Sequence, residues 1–72
     1  MSVVVIVDMR SNWTDGNGPV FAIEGADENG ENSGDLYKFN SIEEAMEGMT
    51  GHIMAGFPMV AIDIETHDVE WF

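Results

Sequence analysis

Apolar residues in this chain fall into short runs, and the period of each run predicts a strand or a helix. Val3 to Val7 is a continuous β-branched run, which is typical of a central strand buried on both faces. The turn signals Asp15-Gly16 and Asn17-Gly18 follow it. We therefore predict a long loop that leads into a second strand at Val20 to Glu24. A short third strand is predicted at Leu36 to Phe39.

A helix is predicted after Ser41, because Ser41-Ile42-Glu43-Glu44 has the pattern of a capping box. In this motif the Ser41 hydroxyl accepts from the Glu44 amide, and the Glu44 carboxylate reaches back to the Ser41 amide. Gly56 and Pro58 are typical of a helix end. Apolar residues at helical spacing form one face: Ile42, Ala45, Met46, Met49 and Ile53.

The last segment predicts a hairpin with a short turn at Thr66-His67-Asp68. Alternation from Met59 to Glu65 separates an apolar set from a second set. The apolar set is Val60, Ile62 and Ile64, continued on the partner strand by Val69 and Trp71, and we expect Trp71 in the core. The opposite set contains Ala61 and the acids Asp63, Glu65, Asp68 and Glu70.

These elements predict an α+β fold of one domain, residues 1–72, in the order β-β-β-α-β-β. The simplest architecture is a mostly antiparallel five-stranded sheet with one helix packed on one face. The acids are expected on the second, solvent-exposed face. Residues 25–34 contain no apolar side chain larger than Ala and predict a flexible acidic loop.

Charge is the strongest feature of the composition. Asp and Glu number 14 against 2 Lys and Arg, which gives a formal net charge of −12. Self-repulsion of this size disfavours the compact state, so we expect either an unusual solvent or a strongly basic protein partner. Nucleic acids and anionic membranes are held by Lys and Arg and are therefore not expected to bind. Without cysteine or a basic, apolar leader, the sequence predicts a soluble cytoplasmic protein.

The carboxylates form three groups, in the C-terminal hairpin, in the loop and on the helix, and together they make the surface negative. Residues two apart on a strand are separated by about 6.6 to 7 Å, which is of the same order as charge spacing along a nucleic-acid strand. An acidic surface of this kind is expected to imitate phosphates. The candidate partner-binding residues are Asp63, Glu65, Asp68 and Glu70 in the hairpin, Asp27, Glu28 and Glu31 in the loop, and Glu43 and Glu47 on the helix.

The residue pattern contains no catalytic motif and no complete metal-binding motif. Asp63, Glu65 and His67 could share a strand face and ligate a divalent ion, but the sequence indicates no residue that would hold these ligands in position. A calcium loop starting at Asp27 has Asn32 and Lys38 where Gly and Glu are required. We therefore expect no metal, no cofactor and no enzymatic activity.

In size, absence of cysteine, β-rich pattern and carboxylates such as Asp63, Glu65, Asp68 and Glu70, the chain resembles the small phage-encoded DNA mimics. These include anti-CRISPR proteins that block DNA recognition by a surveillance complex, and the phage inhibitor of uracil-DNA glycosylase. The resemblance implies a non-catalytic inhibitor that occupies the nucleic-acid-binding surface of a basic protein or complex.

Two other interpretations remain open. High salt screens self-repulsion, so the composition also fits a halophile-adapted domain. The segment Phe39 to Met46 is similar to the strand-to-helix junction of the HicB antitoxin family, which implies a regulatory module.

Trp13 and Phe72 are candidate aromatic anchors for a partner, and we expect a monomer or a small homodimer.

Overall fold

The computed structural model describes residues 1–12 and 15–72. Within these residues the one α-helix is α1 (Ile42–Met49), and a short 3₁₀ helix spans Arg10–Asn12. The strands are β1 (Val3–Asp8), β2 (Val20–Ala22), β3 (Glu24–Ala26), β4 (Asn32–Leu36), β5 (Met59–Asp63) and β6 (Val69–Trp71). The predicted α+β class is confirmed, with the helix between the early strands and the final hairpin.

The strands form two antiparallel sheets where the sequence predicted one. The larger sheet has four strands in the order β2-β1-β5-β6, and β3 pairs with β4 in a separate two-stranded sheet. The strand predicted at Leu36 to Phe39 is reduced to the end of β4 and one antiparallel bridge, between Phe39 and Val3. The predicted loop over 25–34 is therefore largely the β3–β4 hairpin, whose turn is at residues 27–31.

Helix α1 covers one face of the larger sheet. Ala45 and Met49 on α1 lie in a buried cluster with Val3, Val5 and Ala61 of the sheet. The helix ends at Met49, and the amide of Thr50 bonds to the Glu47 carbonyl at 3.2 Å, which tightens the last turn. The predicted extension of the helical face to Ile53 is wrong, because Ile53 lies in the following turns and is 87% exposed.

The other face of the larger sheet is apolar and carries no helix among the described residues. Register places Ile6, Val60 and Trp71 side by side across three strands. A second row consists of Val4, Ile62 and Val69. We call this surface the open face, defined by these two rows together with Val20 and Ala22 of β2.

Two predictions about the faces are therefore wrong. The alternation in β5 and β6 correctly predicted which residues share a face of the sheet. It wrongly predicted which face the helix covers, because α1 packs on the face that contains Ala61 and not on the face that contains Val60 and Trp71. Trp71 is accordingly outside the core and is 60% exposed. The exposed sheet face is apolar and the acids of the hairpin do not lie on it.

Among the described residues, no helix is long and apolar enough to cross a membrane.

Candidate functional site

The carboxylates cover the surface almost without compensation. Every acidic side chain is exposed except those of Asp8 and Asp63, which are half-buried. Within residues 1–12 and 15–72, one ion pair is present, between Arg10 and Asp8 at 2.7 Å. The candidate site is therefore a distributed acidic surface, and its parts differ in how each carboxylate is bonded.

Asp63 organises the turn of the C-terminal hairpin. Its Oδ1 accepts hydrogen bonds from the Ser2 hydroxyl at 2.9 Å and from the amides of Glu65 and Thr66 at 2.9 and 3.2 Å. The Glu65 amide, followed by the Ser2 hydroxyl, lowers the pKa of Asp63 below its usual value of 3.8. Because this oxygen is already bonded three times, Asp63 is mainly a structural residue.

The other acids of this hairpin divide between the turn and the strand. The Asp68 carboxylate accepts from the Thr66 hydroxyl at 3.1 Å, and the turn closes through His67, whose φ is +68° and whose amide donates to the Asp63 carbonyl. Glu70 lies opposite Ala61 and so faces the helix side at the sheet edge. Asp63 and Glu70 lie on the same side of the larger sheet, as predicted, whereas Glu65 and Asp68 lie between the two strands and belong to neither.

Asp27 plays a similar part in the β3–β4 hairpin. Its Oδ1 accepts from the amides of Asn29 and Glu31 at 2.9 and 3.0 Å, an arrangement in which a short carboxylate mimics a backbone turn. Glu28 and Glu31 extend from this turn and are exposed. The hairpin therefore presents two glutamates at its tip while Asp27 holds the backbone.

On the helix, Glu43 and Glu47 are exposed and Glu44 closes the cap. The Glu44 amide donates to the Ser41 hydroxyl at 3.0 Å, as predicted. The Glu44 carboxylate bonds to the amide of Asn40 at 2.8 Å, one residue before the predicted Ser41 partner. Glu43 and Glu47 are free of this network.

The candidate residues divide by their position in the turns. Asp27 and Asp63 accept hydrogen bonds from amides of their own turns, and Asp68 accepts from the Thr66 hydroxyl. No side-chain hydrogen bond to another described residue is present for Glu28, Glu31, Glu43, Glu47, Glu65 and Glu70, which we call the free glutamates. Sequence reasoning grouped both kinds together, although the difference between Asp in a turn and Glu was visible in the sequence.

Asp8 is a carboxylate that sequence reasoning did not single out. The Arg10 guanidinium donates to both of its oxygens, at 2.9 and 2.7 Å. These bonds, with the Arg10 amide, lower the pKa of Asp8 to about 2. The pair removes one of the two cations of the chain from any role in neutralising the other acids.

An apolar groove of about 500 Å³ lies between the end of α1 and the C-terminus. Phe72 lines it and is fixed to the sheet through paired backbone hydrogen bonds with Met59 at 2.9 and 2.8 Å. The groove also includes Met46, Met49 and Phe57. Phe72 is thus half-buried against the core, and the predicted anchor Trp13 lies outside the described residues.

Asp63, Glu65 and His67 are the residues that the sequence offered as possible metal ligands. In the part of the chain that the structure describes, no group of three or more His, Asp or Glu side chains is arranged to hold an ion.

Comparisons of this chain with protein-family models, with curated proteins and with solved structures find no match.

Proposed function

We propose that this protein is a non-catalytic inhibitor whose acidic surface occupies the nucleic-acid-binding surface of a basic protein or complex. Its most concrete form is a phage-encoded anti-CRISPR protein that acts on a surveillance complex in the host cytoplasm. The observation that carries the proposal is the set of free glutamates, which lie on three separate elements and form no ion pair with any described residue.

Electrostatics gives this surface a mechanism. A net charge of −12 attracts a channel lined by Lys and Arg and accelerates encounter at low salt. Once bound, the carboxylates form charge-assisted hydrogen bonds with guanidinium and ammonium groups that otherwise hold phosphates. Inhibition follows from competition, because DNA and the acidic protein cannot occupy the same channel.

Length and freedom of the side chains support the glutamates as the contacting groups. A bonded aspartate such as Asp63 is held in place by the turn hydrogen bonds to its Oδ1 and can offer a partner only its other carboxylate oxygen. A free glutamate such as Glu28 or Glu70 loses only rotamer entropy and bound water. We therefore expect the free glutamates to contribute more to binding than Asp27, Asp63 and Asp68.

The direct test is competition for DNA on a panel of purified, guide-loaded surveillance complexes. A fluorescently labelled target duplex is bound first, and its displacement by the acidic protein is followed by anisotropy. We expect the acidic protein to displace DNA from at least one type of complex, with an apparent affinity that falls as salt is raised from about 50 to 300 mM. If no complex in the panel loses its DNA, the anti-CRISPR form of the proposal is rejected.

Three matched double variants locate the contact. Glu28/Glu31→Gln, Glu43/Glu47→Gln and Glu65/Glu70→Gln each remove the same charge from a different element. The pair that weakens displacement most identifies the contacting element, and equal weakening by all three indicates attraction by net charge without a defined face. Displacement that responds neither to salt nor to any pair overturns the electrostatic mechanism.

A further inference from the structure

We propose that the apolar groove beside α1 and the outer edge of β6 together bind one extended, basic segment of a partner protein. An apolar side chain of that segment enters the groove, and its Lys or Arg side chains meet carboxylates on the rim. The segment belongs to the basic target of the proposed function, on which this inference rests, but its binding can be measured without that target.

The groove offers apolar surface of a size that suits a ligand. Its volume of about 500 Å³ lies within the range of about 300–1,000 Å³ that is usual for ligand clefts. Met46 and Thr50 line it on the helix side, and Met59 and Phe72 line it on the sheet side. Met46 and Phe72 are half-buried, so part of each side chain is still available to an incoming apolar group.

Two of the free glutamates form the helix-side rim of this groove. Residues three or four apart are neighbours on a helix surface, so Glu43 adjoins Met46 and Glu47 adjoins Thr50. Both carboxylates are exposed, and neither forms an ion pair with a described residue. A cation bound at this rim would therefore meet two carboxylates that are not already neutralised.

Glu70 forms the rim on the sheet side. It lies opposite Ala61 and so faces the helix side, as does Phe72 two residues later. Phe72 continues the pairing of β6 through its two backbone hydrogen bonds with Met59, which places Glu70 beside the groove. Carboxylates on both sides of an apolar groove complement a ligand that is apolar at its centre and cationic at its flanks.

Both cations of the chain lie away from this groove. Arg10 is paired with Asp8 at 2.7 Å. Lys38 lies next to the bridge that joins Phe39 to the start of β1, whereas Met59 in the groove pairs near the end of β1. The rim therefore suits a cation from outside the chain.

The edge of β6 favours a peptide over a small amphipathic cation as the ligand. Because Phe72 exchanges both backbone hydrogen bonds with Met59, alternate residues of β6 direct their backbone groups away from β5. Those residues are Val69 and Trp71, and no described strand pairs with β6 on that side. An extended peptide can satisfy these groups as an added strand, as happens at the edges of other sheets.

Antiparallel addition predicts the order of residues in the bound segment. A residue opposite Phe72 faces the groove, and the residue two positions later lies opposite Glu70 on the same side. The first is therefore expected to be apolar and the second to be Lys or Arg. A matching probe is the peptide acetyl-Arg-Val-Leu-Thr-Arg-Val-amide, in which the leucine and both arginines face the helix side.

Titration of the isotope-labelled protein with this probe, followed in amide NMR spectra, tests the site. We expect a dissociation constant on the order of 100 μM, with shifts concentrated at residues 69–72 and at the lining of the groove. Replacing the leucine of the probe by alanine should weaken binding about five-fold or more. N-methylation of its threonine, whose amide would donate to the Trp71 carbonyl, should weaken binding about ten-fold or more.

Two controls separate this site from attraction by net charge. Glu70→Gln should weaken binding about two- to five-fold, whereas Glu28→Gln removes the same charge from the β3–β4 hairpin and should have a smaller effect. A peptide of the same composition in the order Leu-Arg-Thr-Arg-Val-Val puts the leucine and the arginines on opposite faces, and it should bind about five-fold more weakly or less.

Three results would overturn the inference. They are equal binding of the two peptides, equal effects of Glu70→Gln and Glu28→Gln, and shifts centred outside β6 and the groove. Absence of binding by the probe at about 1 mM has the same meaning.

Displacement of DNA judges the proposed function separately. If the probe binds at the groove but no surveillance complex loses its DNA, the peptide site is confirmed and the anti-CRISPR form of the function is rejected. If DNA is displaced while the probe does not bind, the inhibitor is confirmed and the groove is not its contact.

Discussion

The hydroxyl of Ser2 donates a 2.9 Å hydrogen bond to Oδ1 of Asp63, 61 residues away in the sequence. It joins the segment before β1 to the turn after β5, and the amide of Ile64 completes the contact by donating to the Ser2 carbonyl at 2.9 Å. Ser2 is buried and Asp63 is half-buried. One of the carboxylates predicted to bind a partner therefore holds together the ends of β1 and β5, the two central strands of the larger sheet.

Acidification should weaken the fold through this contact. The folded-state pKa of Asp63 is lowered below its usual value of 3.8, so its contribution is fully present above that value. The contribution is lost as the pH falls through the lower folded-state pKa. Asp8, with a pKa of about 2, acts in the same direction. We expect the free energy of unfolding to fall as the pH is lowered from about 4 towards 2.

Denaturant titrations of Asp63→Asn across this pH range should show a smaller acid-dependent loss than the original chain. Ser2→Ala should act similarly, because Asp63 loses one of its three donors. Asp35→Asn is the control, since its carboxylate accepts no side-chain hydrogen bond from the described residues. If the free energy of unfolding falls with pH to the same extent in the original chain and in all three variants, Asp63 does not control stability in acid.

Gly48→Ala should destabilise the protein although alanine favours helices. A Cβ at this position would lie 2.8 Å from Cε1 of Phe39, whose ring packs edge-on against Tyr37 with centroids 4.8 Å apart. Overpacking costs about 1–3 kcal/mol, against a propensity gain of about 1 kcal/mol. We expect a net loss of about 1 kcal/mol, measured by thermal or urea unfolding.

Gly51→Ala is the matched control for this substitution, because no atom lies within 4 Å of its added Cβ. Its stability should stay within about 0.5 kcal/mol of the original. If Gly48→Ala is as stable as Gly51→Ala or more stable, the close approach of Phe39 to α1 is incorrect.

Removing the helix cap should have a larger effect than removing a charge from the same turn. Ser41→Ala leaves the Glu44 amide without its side-chain acceptor and should cost about 1 kcal/mol. In a domain of this size, that corresponds to about 4–8 °C in Tm. Glu43→Gln removes a carboxylate from the same turn without a hydrogen bond, and an equal loss in both variants would contradict the observed cap.

Thermal unfolding across salt separates the proposed function from solvent adaptation. Between about 0.05 and 2 M NaCl we expect a cooperative transition at every concentration, with Tm rising as self-repulsion is screened. Circular dichroism is sufficient for this measurement. A chain that folds only at molar salt would identify the acids as a halophilic adaptation, and the charge argument for inhibition would no longer apply.

Local signals in the sequence predicted several parts of this structure. The cap at Ser41, the strand at Val3 to Val7 and the alternation of the final hairpin all follow from contacts between residues near each other in the chain. The β3–β4 hairpin was missed because residues 25–34 have no apolar alternation. Its strands are held by backbone pairing and by turn bonds to Asp27, which leave little trace in a hydrophobic pattern.

The sequence was sufficient to predict an acidic surface, but not which carboxylates are bonded within the fold. Every candidate carboxylate is at the surface, fully or in part, as a solvated charge should be. Which of them are committed to the fold depended on contacts such as Ser2 to Asp63, which link distant segments. The local signal that could have separated Asp27 from Glu28 is the place of Asp27 at the start of a turn, where its Oδ1 accepts from the amides of Asn29 and Glu31.

By itself, the sequence determined which residues of β1, β5 and β6 share a face, because the side-chain period of a strand is two. Only the tertiary structure decided which face the helix covers. Val3 to Val7 and Met59 to Ile62 are apolar at every position, so both faces of the central strands suit a core. Ala45 and Met49 of α1 settled the choice by packing against Val5 and Ala61, which left Val69 and Trp71 exposed on the other side.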